Sequence, residues 1–135
     1  EVRLINPSNP GNAPLVKLCR SGDQFIVEFS AYDANLNIDR ATYQFLNASG
    51  RTVGQTFDIA LSQAIEGRAL ATGQSLTVVQ RFSGADDNSE VLTVQVTVFD
   101  GDGTQASATG RLTTGCSTTQ SAPIVLSGLT VRRDR

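Results

Sequence analysis

Oxygen-bearing side chains recur at every second position in two short stretches of this chain. Asp33, Asn35, Asn37 and Asp39 stand in the segment DANLNID, and Asp100 and Asp102 in DGDG. Oxygen donors so spaced are what a hard cation such as calcium takes from a loop. The helix–loop–helix calcium loop also needs Gly at its sixth position and a bidentate Glu at its end. Here the sixth position is Ile38, and no such Glu follows. Asp and Asn equally close turns, by accepting hydrogen bonds from nearby backbone N–H groups. Turn chemistry is the favoured reading, and calcium is the one cofactor the pattern suggests.

Other chemistry has little to build on. The 135 residues include no His, two Cys and a single Lys, Lys17. His-based general bases and Cys/His zinc sites are therefore excluded, and an activated Ser or Thr would need a different base. No catalytic residue is assigned and no enzyme is expected. A net charge of −2 from 11 basic and 13 acidic residues gives no broad attraction to nucleic acid or to anionic membrane. No apolar run approaches the roughly 20 residues that span a bilayer, so no transmembrane segment is expected.

The elements that must position these residues read as strands. Short β-type segments at 14–19, 24–32, 40–48, 51–61, 74–82, 90–99 and 104–114 are separated by turn compositions such as SGD, GADDNS and DGDG. Phe25, Val27, Phe29 and Ala31 alternate with Glu28 and Ser30, while Val94, Val96 and Val98 alternate with Gln95 and Thr97. That period of two places one face of each strand in a core. Tyr32 and Phe99 fall on the outward parity near the acidic loops and are candidates for a contact patch. The loop Ala85-Asp86-Asp87-Asn88 reads as a solvated turn at the opposite pole. Seven antiparallel segments indicate an all-β fold, an antiparallel β-sandwich.

Two stretches, FIVEFSAYDANLNIDRATYQFLNASGR and LTVQVTVFDGDGTQASATGRL, resemble the immunoglobulin-like domains of bacterial secreted and surface proteins, the polycystic-kidney-disease-type and fibronectin-type-III modules among them. The likeness covers about residues 14–115 and rests on an alternating strand that runs into a VTVxDxDG turn. It implies an immunoglobulin-like sandwich of about seven strands. Residues 1–13, with two Pro, three Asn and one Gly, then read as a leader or linker. Residues 14–116 form the sandwich, and 117–135 a polar linker followed by an extra C-terminal strand. The chain starts at Glu1 without Met, as a mature product or an excised fragment would.

In such a sandwich the first and last strands run in the same direction, so Cys19 and Cys116 reach the same pole. Two Cys in a secreted domain fit one disulfide between them. The C-terminal segment offers Ile124, Leu126 and Leu129 for strand pairing, with Arg132 and Arg133 adding local positive charge. It is expected either on the sandwich's own edge or on a neighbouring subunit. The function expected is a non-catalytic structural or protein-interaction module, secreted, periplasmic or on the cell surface. The alternative is an accessory module that binds carbohydrate or calcium.

Overall fold

The computed structural model describes residues 1–6, 9, 13–33, 38–61, 75–116 and 124–132, and among them the chain is all-β. The strands are β1 (Val2–Ile5), β2 (Val16–Ser21), β3 (Gln24–Asp33), β4 (Ile38–Leu46), β5 (Phe57–Ala60), β6 (Ser75–Ser83), β7 (Thr93–Asp100), β8 (Gln105–Thr113) and β9 (Ile124–Thr130). No helix among the described residues is long and apolar enough to cross a membrane. Alternation explains the best-defined elements. In β7 every second residue, Val94, Val96 and Val98, is buried, and in β4 so are Ala41, Tyr43 and Phe45.

The strands form one mixed, curled sheet in the order β5-β4-β7-β8-β2-β3-β6-β9, with β1 pairing to β3 beside β2. Most ladders are antiparallel, as the hairpin turns require. Two are parallel: β2 with β8, through Leu18↔Leu112 and Cys19↔Thr113, and β6 with β9. The sheet is therefore not purely antiparallel. β2 and β8 run in the same direction where they meet, so they can pair only in parallel. The curl brings β3 and β6 over β4 and β5. Phe25 stacks on Phe45 at 5.2 Å between centroids, and Phe82 meets Phe45 at 4.9 Å and Phe57 at 4.8 Å.

The opening residues differ from their reading as a leader outside the core. Val2 and Leu4 are buried in the main core, and β1 pairs antiparallel with Ser30–Asp33 of β3. The Pro- and Asn-rich stretch that follows supplied the linker signal. The four residues before it, VRLI, already alternate and need only a free strand edge. The segment read over 51–61 contracts to Phe57–Ala60, with a lone bridge between Leu46 and Thr52.

Cys19 and Cys116 form the expected disulfide, with Cα atoms 5.2 Å apart across 97 residues of sequence. On the chain-entropy account a loop of that size stabilises by roughly 4–5 kcal/mol. The bridge lies beside the β2–β8 ladder, where Thr113 Oγ1 also donates to the Leu18 carbonyl at 3.3 Å. Close approach at this joint depends on Gly110. A Cβ at that position would collide with the Val16 carbonyl oxygen and lie 2.8 Å from the Val16 carbonyl carbon.

Tyr43 packs in the aromatic cluster against Phe29 and Phe82, fully buried, and its hydroxyl has no hydrogen-bond partner among the described residues. Burial pushes its ionisation far above the usual tyrosine range. A buried hydroxyl left unsatisfied costs about 1–3 kcal/mol, whereas the ring itself is well packed. Tyr43→Phe is therefore expected to raise the free energy of urea unfolding by about 1 kcal/mol. A loss of stability in that variant would show that the hydroxyl is engaged.

Candidate functional site

Asp33 ends β3, Asp100 ends β7, and the two side chains meet in the interior at one pole with no exposure to solvent. The turn after β7 holds Asp100 from several directions. Its Oδ1 accepts the N–H groups of Thr104 at 2.8 Å and Asp102 at 3.1 Å, and its Oδ2 accepts the Thr104 hydroxyl at 2.6 Å. Thr104 Oγ1 in turn accepts the Val2 N–H at 3.1 Å, which ties β1 to this turn. The Glu1 nitrogen lies 4.0 Å from Asp33 Oδ1 and 3.9 Å from Asp100 Oδ2. Asp100 is held at about 2, below its ordinary 3.8. The Thr104 hydroxyl is the largest cause; burial opposes it, and the Thr104 N–H, the Asp33 side chain and the Asp102 N–H add to it.

Of the oxygen-bearing residues singled out by spacing, the fold brings together Asp33 and Asp100 alone among those that are described. Asp39 and Asp102 are exposed, and Asp102 donates its backbone N–H to Asp100. Asn35 and Asn37 lie outside the described residues. Among the described residues no group of three or more Cys, Asp or Glu is arranged to hold a metal ion. The network at Asp100 is that of a side chain organising its own turn. Thr104, four residues after Asp100, is the partner that the alternating pattern did not single out.

Tyr32 and Phe99 do not form one patch. Asp33 and Asp100 point inward from the two halves of the sheet, so the residue before each faces outward on its own half. Each ring is covered by its direct cross-strand neighbour. The Arg3 guanidinium lies 5.2 Å from the Tyr32 centroid, and that of Arg40 3.8 Å from the Phe99 centroid. Arg40 is further oriented by Asp58 at 3.3 Å.

The C-terminal strand pairs with the chain's own β6, from Val78↔Ile124 to Ser83↔Thr130. Leu126 and Leu129 pack half-buried against the main core, and Val131 beyond them is buried within it. Val131 donates its N–H to the Ser83 carbonyl at 2.8 Å, and Gln55 clasps the chain on either side, donating to Thr130 O at 2.8 Å and accepting the Arg132 N–H at 3.0 Å. Gly84, at φ +97°, leaves room for this segment, since a Cβ there would lie 2.5 Å from the Val131 oxygen. Asn88, read as part of a solvated turn, is instead 0% exposed. Its amide nitrogen donates to Gly84 O at 2.7 Å and Val131 O at 3.3 Å, so it fixes the turn and the tail together. The solvated character of the sequence here belongs to the exposed Asp86 and Asp87 beside it. Arg132 is exposed, and Arg133 lies outside the described residues.

Comparison with family models, with curated proteins and with solved structures finds no match to this chain.

The depressed Asp100 carboxyl sets a pH dependence. A group that ionises more readily in the folded state stabilises it above the unfolded value and loses that contribution as pH falls through the folded value. Stability measured by urea unfolding should fall between pH 3.8 and about 2. Asp100→Asn should be less stable at neutral pH and show a shallower decline over that interval. An unchanged slope would mean that Asp100 does not carry the effect.

Proposed function

We propose that this chain is a non-catalytic, extracellular or cell-surface module with an immunoglobulin-like sandwich fold, serving structure or protein–protein interaction. The observation that carries the reading is the Cys19–Cys116 bridge across the parallel β2–β8 joint. Disulfides persist in oxidising compartments and serve small domains that must hold together outside the cell. The aromatic cluster between the two halves of the curled sheet supports the sandwich reading. Under tension, the loop between the bridged cysteines cannot extend, which suits a structural element. The convergence of Asp33 and Asp100 is what favours the second reading, an accessory module for calcium or carbohydrate. A calcium-dependent rise in melting temperature, reversed by a chelator, selects the second over the first.

The test of the first reading is labelling of intact host cells or culture medium with a reagent that does not cross membranes. The chain should be labelled without lysis, and its two cysteines should resist alkylation until a reductant is added. Labelling only after lysis, with both thiols free, would contradict it.

A further inference from the structure

On the outer face of β8, β2 and β3 the sheet carries a cavity of about 260 Å³. Its wall follows from strand parity. Lys17 and Cys19 alternate with the inward Val16 and Leu18, Ile26 and Glu28 with the inward Phe25 and Val27, and Arg111 with the inward Gly110 and Leu112. Ile26 and Cys19 belong to a small apolar cluster separate from the main core. Leu15 lines the mouth at 39% exposure, the one large hydrophobic side chain so exposed among the described residues.

The charges at this cavity are unequal. Glu28, almost fully buried, has the Lys17 ammonium 3.6 Å away, and these two charges offset each other. Arg111 is exposed, and outside the backbone ladder with β7 its side chain makes no ion pair or hydrogen bond among the described residues. An apolar wall beside one uncompensated guanidinium is complementary to an anion with an apolar body. The planar fork of Arg matches a carboxylate with two parallel hydrogen bonds. Sites for drug-sized ligands begin at about 300 Å³, so this one takes a smaller molecule.

We propose that the cavity between β8, β2 and β3 binds a small organic carboxylate, its apolar body against Leu15, Ile26 and the Cys19 bridge and its carboxylate on Arg111. The site is independent of the structural role proposed above and lies on the outer side of the joint that closes the fold.

The test uses the full, disulfide-bonded chain, titrated with phenylbutyrate, phenylbutanol and phenylbutylamine and followed through backbone amide chemical shifts. Phenylbutyrate should give saturable shifts centred on Leu15, Ile26 and Thr113. Arg111→Gln should weaken it about tenfold, as expected on losing a hydrogen-bonded charge, and so should replacing the carboxylate by the alcohol. Arg51→Gln, at an exposed turn, should leave the binding unchanged, and the amine should shift none of the three amides. The proposal is overturned if the alcohol or amine binds as well as the acid, or if Arg111→Gln binds normally. It is equally overturned if no saturable shift appears at these amides up to about 10 mM ligand.

Discussion

The fold depends on how closely β2 and β8 approach. Their ladder consists of Leu18↔Leu112 and Cys19↔Thr113, yet it is the link that joins β5-β4-β7-β8 to β2-β3-β6-β9. So short a parallel pairing contributes little by itself, because its few hydrogen bonds are each worth only about 1 kcal/mol net. Two features supplement it. Gly110 lets the backbones come together where any side chain would strike Val16, and the Cys19–Cys116 bridge removes the freedom of the 97-residue loop in the unfolded chain. With the joint closed, Phe25, Phe29 and Phe82 are held over Tyr43, Phe45 and Phe57, and the aromatic cluster completes the core.

The chain segments outside this joint are then fastened at opposite poles by polar side chains. At one pole Thr104 connects the β1 backbone to Asp100, while at the other Asn88 connects the turn after β6 to Val131. Each arrangement satisfies main-chain groups that no ladder reaches. The tail is thus part of the core, and β9 covers the edge that β6 would otherwise expose, which limits unwanted strand pairing.

Much of this was legible in the residues. The period-two alternation of β3, β4 and β7 located their inward faces, and the placement of Cys19 and Cys116 at the ends of codirectional strands indicated their bridge. Other features left weaker signals. Four alternating residues, VRLI, are too few to outweigh the Pro and Asn that follow them, so β1 read as linker. Asn88 sits among acidic residues that are indeed exposed, and only the arrival of Val131 from a distant part of the sequence makes it a buried clamp. Gly110 in ATGRL resembles any weak strand residue, because what it avoids, the Val16 carbonyl, is about a hundred positions away in sequence. Alternate acidic spacing suggested convergence at the Asp33 pole, but turn geometry sends Asp39 and Asp102 outward.

The most direct measurement of whether the β2–β8 joint governs the fold is urea unfolding of Gly110→Ala with the disulfide intact, followed by tyrosine fluorescence and far-ultraviolet circular dichroism. If close approach at Val16 is required, the variant loses about 1–3 kcal/mol, the usual cost of overpacking, and both signals change in one shared transition. An unchanged unfolding midpoint, or a loss confined to one signal while the other keeps the parent's transition, would contradict the account.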